Sequence, residues 1–152
     1  MEIRELREED AGSLSRLIAD VQGEHPEAMY WNLLPEQIEE TVRWKLEAVG
    51  RGEMADIVAV DRGEVVADCE ILCEGAEGTV GIIVGRGRRG GGVGRELLER
   101  CASRARELGV RTVRARVMES NARAMSFFRG MGFEKEGAGE PGSPALMSRK
   151  LV

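Results

Sequence analysis

The hydrophobic positions of the chain change their spacing from one segment to the next, and each spacing predicts an element. In the first seven residues Ile3 and Leu6 alternate with charges, which indicates a short strand. A helix is predicted after it with Asp10 as the N-cap, because apolar residues then recur on one helical face. The residues of this face are Leu14, Leu17, Ile18 and Val21.

The rest of the chain predicts a run of strands followed by strands that alternate with helices. The further predicted elements are a helix over 35–50, a strand pair over 55–74 with a turn near 61–63, a strand over 79–84, a helix over 93–108, a strand over 111–118, a helix over 122–131 and a strand over 145–152. The apolar face of the 35–50 helix is expected to be Ile38, Val42 and Leu46. The helix over 93–108 is expected to bury Val93, Leu97, Leu98, Cys101, Ala105 and Leu108.

This order predicts one α/β domain over residues 1–152, with a central mixed, mostly antiparallel sheet and helices on both faces. The strand–helix–strand unit at 79–118 is expected to be the parallel part, with a right-handed crossover. No apolar stretch approaches the roughly 18 residues of a membrane span, and no secretory signal precedes the first strand. The odd set Cys69, Cys73 and Cys101, with one histidine in the chain, predicts reduced thiols in a cytoplasmic protein and no zinc site.

Charge is distributed unevenly along the chain, although the formal net charge is only −5. Residues 1–62 carry 7 basic and 15 acidic side chains, whereas residues 86–116 carry 10 arginines and 3 glutamates. We expect no nucleic acid as partner, because the chain as a whole is acidic, and no membrane, because no apolar stretch is long enough to span one. Positive charge concentrated around a glycine-rich loop suits a small anionic ligand instead.

The loop VGRGRRGGGVGR at 84–95 matches more than one phosphate-binding pattern. Gly85-x-Gly87-x-x-Gly90 fits the dinucleotide pattern, but that mechanism also needs an acidic residue about 20 positions further on to bind the ribose. Val110 stands there, and the chain has no room for a second nucleotide-binding half. A Walker loop is excluded as well, because no Lys-Ser or Lys-Thr follows the glycines.

A third pattern lies over the same loop at the start of a predicted helix, where backbone N–H groups and the positive end of the helix dipole bind a pyrophosphate. Two more motifs follow it at fixed spacing. The three motifs are Arg89-x-x-Gly92-x-Gly94, Asn121-x-x-Ala124-x-x-Phe127 and Gly132-Phe133. With the element order they resemble the GNAT superfamily of N-acetyltransferases, most specifically over 80–134, while residues 11–60 match only in element order. The C-terminal half is most similar to the protein N-terminal acetyltransferases of the ribosomal-protein-alanine type.

The resemblance implies a site for acyl-CoA. Backbone donors would cradle the pyrophosphate, and they belong to Gly90, Gly91, Gly92, Val93 and Gly94. Arg88, Arg89 and Arg95 add positive charge, and the sequence does not select which of them touches phosphate. The pantetheine arm would lie along the 79–84 strand, with main-chain bonds from Ile82 and Val84 and an N–H near Val84 that polarises the thioester carbonyl. Asn121 would bond to the cofactor, cap the 122–131 helix, or do both.

Phe128 departs from the family pattern and is still expected beside the cofactor. Family members commonly have a tyrosine there, whose phenol is taken to protonate the leaving thiolate, and phenylalanine cannot donate a proton. Either another group such as Tyr30 serves as the acid, or the coenzyme leaves as thiolate. The second route is feasible because the pKa of a thiol is only about 8.5.

The acceptor side has candidates and no motif. Asp68, Glu70 and Glu74 share one face of a strand, and Glu70 is the candidate base, acting directly or through water; the alternative is an exposed strand face. His25 is a weaker candidate, because a lone loop histidine also fits a surface position. The aromatic residues Tyr30, Trp31 and Trp44 would line the acceptor pocket, form a homodimer contact or pack between helices.

These observations predict an enzyme that moves an acetyl group from acetyl-CoA to a primary amine by direct attack in a ternary complex. The amine belongs to a protein or peptide N-terminus or to a small molecule. The alternative that remains open is a non-catalytic acyl-CoA-binding sensor or interaction module, since Phe128 removes the family acid.

Overall fold

The computed structural model describes residues 1–24, 33–137 and 140–151, which build one seven-stranded sheet with helices on both faces. The helices are α1 (Ala11–Glu24), α2 (Pro35–Gly50), α3 (Val93–Glu107) and α4 (Ala122–Gly130). The strands are β1 (Glu2–Glu5), β2 (Met54–Asp61), β3 (Glu64–Glu74), β4 (Glu77–Val84), β5 (Thr112–Val117), β6 (Glu134–Lys135) and β7 (Ala145–Lys150). The predicted fold class is confirmed.

The strands lie in the order β1-β2-β3-β4-β5-β7-β6. All neighbouring pairs are antiparallel except β4 and β5, which are parallel and joined through α3. The tight turn between β2 and β3 lies at the predicted place, with Arg62 at φ 53° and Gly63 at φ 79°. Positive φ at both central residues matches the right-handed twist of a two-residue hairpin, which favours glycine there.

Two hydrophobic cores lie on opposite faces of the sheet. One is formed by α3 and α4 against β2 to β5, and its largest fully buried side chains include Ile71, Leu97, Leu98, Val110, Val113 and Met147. The other is formed by α1 and α2, with Leu14, Leu17, Ile18, Val21, Ile38, Val42, Val58 and Val60 buried. The apolar positions predicted for the first helix are all among these buried residues.

One local expectation about the first two helices was wrong, and one was incomplete. Asp10 does not cap α1, because it ends a 3₁₀ turn and its carboxylate is engaged elsewhere: it accepts hydrogen bonds from the Arg7 backbone at 2.8 Å and from the Arg4 guanidinium at 2.7 and 2.9 Å. In α2 the predicted Leu46 is half-buried and packs against the core, but the inward face also includes Lys45, which is 2% exposed.

Several further features bear on the class of protein. No helix in the described ranges is long and apolar enough to cross a membrane. Cys69, Cys73 and Cys101 are free thiols, and the first and last of these are buried. Within residues 1–24, 33–137 and 140–151, no three His, Cys, Asp or Glu side chains are arranged to hold a metal ion.

Candidate active site

The parallel strands β4 and β5 pair only at their beginnings and then separate. Their last paired residues are Thr79 and Arg114. Beyond that point β4 stays paired with β3 as far as Val84, and β5 stays paired with β7 as far as Val117. In the opening bordered by residues 80–84 and 115–117, here called the wedge, the facing edges of the two described strands no longer pair with each other, so main-chain groups there are open to a ligand.

The direction of the backbone N–H groups along β4 follows from the bond at its end. The Gly85 N–H donates to Val66 O of β3 at 2.8 Å. Because N–H groups of successive residues in a strand point to opposite edges, those of Ile82 and Val84 point away from β3 and into the wedge. These are the two residues that the family resemblance assigns to main-chain bonds with the pantetheine arm.

The glycine-rich loop connects the wedge to α3. Gly92 is the N-cap of α3 at φ 85°, a left-handed conformation in which glycine carries no steric penalty. The first internal bond of the helix runs from the Glu96 N–H to Gly92 O at 3.1 Å. In the part of the chain that the structure describes, the backbone N–H groups of residues 90–95 donate to no protein acceptor. Six consecutive donors at a helix N-terminus form a binding surface for an anion such as a pyrophosphate.

The glycines of this loop are not equivalent. A Cβ built on Gly92 would meet no atom within 4 Å, and one on Gly91 only Arg88 O at 4.0 Å. A Cβ on Gly94, by contrast, would lie 3.3 Å from Phe127 Cε1 and 3.6 Å from Ile82 Cδ1. Gly94 therefore lets α4 and β4 approach the start of α3, whereas Gly91 and Gly92 border open space that suits the fit of a phosphate group.

Three of the four arginines of the loop pair with carboxylates of neighbouring elements. Arg89 pairs with Glu24 at the end of α1 and also donates from Nε to Val84 O at 3.0 Å. Arg86 lies 3.4 Å from the same Glu24 carboxylate, and Arg88 pairs with Asp61. The hydrogen bond from Arg89 is the main reason that the pKa of Glu24 is lowered.

Asn121 lies just before α4 and Phe128 lies within it, at the positions expected from the motif. Asn121 is the N-cap of α4, and its Oδ1 accepts a hydrogen bond from the Ala124 N–H at 3.1 Å. Its capping role is confirmed, and its bond to the cofactor stays a prediction. Phe128 is 6% exposed and makes edge contacts with the rings of Phe127 and Phe133, at centroid distances of 5.2 and 5.1 Å.

Glu70 lies on the opposite side of the sheet from α3 and belongs to a charged cluster. A Cβ built on Gly81 of β4 would lie 3.4 Å from Glu70 Cγ and 3.7 Å from Oε1, so the Glu70 side chain crosses β4 above this glycine. Lys45 Nζ of α2 donates to Glu70 Oε1 at 3.1 Å and to Asp68 Oδ2 at 2.5 Å. Asp56 Oδ2 is 3.1 Å from Lys45 Nζ, outside hydrogen-bond geometry.

Burial and proximity move the pKa values of this cluster in opposite directions. Burial alone would lower the pKa of Lys45, but the charges of Asp56, Asp68 and Glu70 raise it well above its usual value. Burial, reinforced by the neighbouring Asp68 carboxylate, raises the pKa of Asp56 well above its usual range. The cluster therefore favours an ammonium on Lys45 and a protonated carboxyl on Asp56.

The sequence analysis missed Lys45 and Asp56. Both left a signal, because Lys45 falls on the apolar stripe of α2 and Asp56 interrupts the apolar run of β2. His25, Tyr30 and Trp31 lie outside the described residues, so their predicted roles stay predictions. Trp44 is 44% exposed on α2, and its predicted contact in a homodimer also stays a prediction.

Comparison with known proteins adds the family to this geometry. The model of the acetyltransferase (GNAT) family matches residues 14–133. No curated protein matches the sequence at a significant level. Among solved structures, a GNAT-family acetyltransferase from Streptococcus pneumoniae superposes with a TM-score of 0.82 at 20% identity, with 99% of both chains covered.

Two further solved structures carry more specific names. A ribosomal-protein-alanine N-acetyltransferase from Brucella melitensis has a TM-score of 0.82 and 26% identity, covering 99% of this chain and 100% of its own. A phosphinothricin acetyltransferase from Sinorhizobium meliloti, in complex with acetyl-CoA, has a TM-score of 0.76 and 23% identity, covering 99% of this chain and 88% of its own.

The family match covers well over half of the chain, and the chain therefore belongs to the acetyltransferase (GNAT) family. It is an acyl-CoA-dependent N-acetyltransferase.

Proposed function

We propose that this enzyme transfers the acetyl group of acetyl-CoA to a primary amine by direct attack in a ternary complex, with Glu70 as the base. The acceptor is a protein or peptide N-terminus or a small-molecule amine. The likeness to the ribosomal-protein-alanine enzyme from Brucella melitensis, at 26% identity, supports testing peptide N-termini first. The three free thiols fit the cytoplasmic location expected from the sequence.

The observation that carries the donor half of this proposal is the continuity between the wedge and the unpaired amides of the loop. Main-chain groups of Ile82 and Val84 face the wedge, and the N–H groups of residues 90–95 lie at its wide end without protein acceptors in the described ranges. An extended acyl-pantetheine arm and its pyrophosphate need these two features next to each other.

Acetyl-CoA supplies the activated acetyl group when it is bound, and the chain contributes positioning and proton transfer. The Val84 N–H would donate to the thioester carbonyl oxygen, where negative charge develops. Glu70 would accept the proton of the attacking amine, directly or through a water molecule, on the α1 and α2 face of the sheet. Its side chain is 30% exposed, so an acceptor can reach the carboxylate.

The proposal is tested by release of free coenzyme A thiol with a panel of peptides and small amines. Peptides with a free N-terminus are compared with the same peptides blocked at that position, at saturating acetyl-CoA. Turnover that depends on the free amine, and that falls about 100-fold or more in Glu70→Gln, supports the proposal. Saturable acetyl-CoA binding with no turnover on any amine would overturn it.

A further inference from the structure

The Lys45 ammonium stands at an unusual place for a charged group. It lies on the inward stripe of α2 after Ile38 and Val42, and its side chain is 2% exposed. Moving an ammonium out of water is costly unless carboxylates compensate it. The chain has only three lysines, and the neighbours of Lys45 explain why one of them is buried.

The three carboxylates around Lys45 are not equivalent. Asp68 and Asp56 are deeply buried, with side chains 4% and 0% exposed. Asp68 makes the short bond at 2.5 Å and is sufficient to balance the charge of the ammonium, while Asp56 accepts no hydrogen bond from Lys45. Glu70 is the partner at the margin of the cluster, with a side chain that reaches solvent.

Because Asp68 already balances the charge of the Lys45 ammonium, the bond to Glu70 adds little to neutralisation. Its effect is to fix the position of the Glu70 carboxylate. The bond from Lys45 Nζ to Glu70 Oε1 keeps the side chain lying over Gly81, where the missing Cβ leaves it room. Gly81 belongs to the strand whose opposite edge borders the wedge. The charged groups that face Glu70 in the described structure are Lys45 from α2, Asp56 from β2 and Asp68 from β3.

We infer that Lys45 is a positioning residue for acetyl transfer, which holds the Glu70 carboxylate over Gly81 toward the acceptor amine. The inference rests on the proposed function of Glu70 as base. Lys45 itself touches neither substrate, because it is enclosed by α2, β2 and β3. Asp68 and Asp56 are buried with it, whereas the side chain of Glu70 reaches solvent.

The kinetic test uses Lys45→Met, Lys45→Arg, Glu70→Gln and the double variant Lys45→Met/Glu70→Gln. We expect Lys45→Met to lower kcat about tenfold or more while the KM for acetyl-CoA stays unchanged, because a misplaced base loses much of its catalytic effect. Lys45→Arg should recover part of that loss, and the double variant should be no slower than Glu70→Gln alone. Wild-type kcat in a folded Lys45→Met variant, or losses that multiply in the double variant, would overturn the inference.

A second pair of variants covers the case in which Lys45→Met does not fold, or in which no acceptor supports turnover. Asp68→Asn keeps the cation beside Glu70, whereas Lys45→Met/Asp68→Asn removes the cation without leaving a buried unpaired aspartate. In crystal structures we expect Glu70 to stay over Gly81 in the first variant and to turn to solvent in the second. Glu70 over Gly81 in both variants means that Lys45 serves the stability of the fold alone. If the wild type shows no turnover on any amine, but Glu70 turns to solvent in the second variant as expected, the proposed function is contradicted. The positioning of Glu70 by Lys45 is then still supported.

Discussion

The two faces of the sheet differ in the chemical groups that they offer to a ligand. The α3 and α4 face is a continuous apolar core, and the groups it offers to a ligand are backbone N–H groups set by strand and helix geometry. The α1 and α2 face has a smaller apolar core, and beside or near it lie all the buried polar residues of the described chain. These are Asp10, Ser13, Lys45, Asp56 and Asp68.

The difference matches the two substrates of the proposed reaction. A coenzyme that is the same throughout a family can be held by main-chain groups, which depend on glycines and element order more than on side-chain identity. The face proposed for the acceptor instead has side chains brought together over long sequence separations, 23 residues for Lys45 and Asp68 and 25 for Lys45 and Glu70. Such a site can change its specificity without changing the sheet.

The largest expected effect tests whether the charged face is held by compensation of charge. Lys45→Met should reduce the free energy of unfolding by about 3–5 kcal/mol, because it leaves the buried Asp68 carboxylate without a cation. Urea unfolding measures this change. As a control, Lys45→Met/Asp56→Asn/Asp68→Asn should recover most of the loss, since it replaces the ammonium and both buried carboxyl groups together. If the triple variant is no more stable than the single one, the loss comes from packing. Charge compensation then does not distinguish this face from the other.

The next effect tests the main-chain site of the other face. Coenzyme A at about 100 times its Kd should stabilise the wild type by roughly 2.7 kcal/mol, and Gly91→Val should lose most of that gain by filling the cradle. Gly91 has no positive φ and borders open space, so the substitution leaves the fold intact. Gly92→Val and Gly94→Val are less clean, because the first strains the backbone at φ 85° and the second crowds Phe127.

Thermal unfolding with and without coenzyme A measures the Gly91→Val effect. The matched control is Gly50→Val at the end of α2, where a Cβ also meets nothing within 4 Å. It should keep the full ligand-induced stabilisation. If coenzyme A stabilises Gly91→Val as much as the wild type, the pyrophosphate does not bind at this loop.

A third experiment uses pH to distinguish two buried aspartates near the charged face. The pKa of Asp56 is raised, so the folded protein retains its proton longer than the unfolded chain, and stability falls as pH rises above about 4. Burial alone would raise the pKa of Asp10, but the bonds from Arg4 and the Arg7 backbone lower it. The contribution of Asp10 is therefore present above about pH 4 and is lost as pH falls through its folded pKa.

The two substitutions should then have opposite pH dependence. Asp56→Asn should gain stability relative to wild type as pH rises above about 4, whereas Asp10→Asn should lose about 2 kcal/mol at pH 7 and less at pH 3. Urea unfolding at a series of pH values gives both curves. Parallel curves for the two variants would show that the cluster does not shift Asp56 as described.

The smallest effect concerns Phe128, which lies on the apolar face where the family has a tyrosine. Phe128→Tyr should change kcat tenfold or less, because a thiolate with a pKa of about 8.5 already leaves without a proton donor. The companion variant is Tyr30→Phe, which should lower kcat if Tyr30 is the acid. Single-turnover rates of both variants on the best acceptor measure this. A rise of 100-fold or more in Phe128→Tyr would mean that protonation of the leaving group limits the wild type.

The sequence predicted the local structure around the glycine-rich loop well, because the information there is local. Glycines within one loop, an asparagine three residues before an alanine and the order of elements are all properties of contiguous segments. They predicted the parallel β4–β5 pair, the start of α3 and the Asn121 cap. The dinucleotide pattern over Gly85, Gly87 and Gly90 was excluded because the acidic residue that it requires about 20 positions further on is absent, which is also local information.

The charged cluster around Lys45 was predicted only in part, because its contacts are not local. The period of the apolar residues in α2 favoured Leu46 over Lys45 on the inward face, since hydrophobicity ranks a lysine as exposed. Only the position of Asp56 and Asp68 on adjacent strands reveals that the buried ammonium is compensated. Glu70 was selected for its strand face, whereas its restraint by Lys45 required the packed structure.

The pairing of Arg89 and Arg86 with Glu24, and of Arg88 with Asp61, has a consequence for how the coenzyme arrives. These carboxylates neutralise part of the positive field that the loop would otherwise project into solvent, so less electrostatic steering is available to a polyanion approaching by diffusion. Arg95 is exposed at the start of α3 and contributes its field more fully. The association rate of the coenzyme should accordingly decline less with ionic strength than four arginines in one loop would suggest.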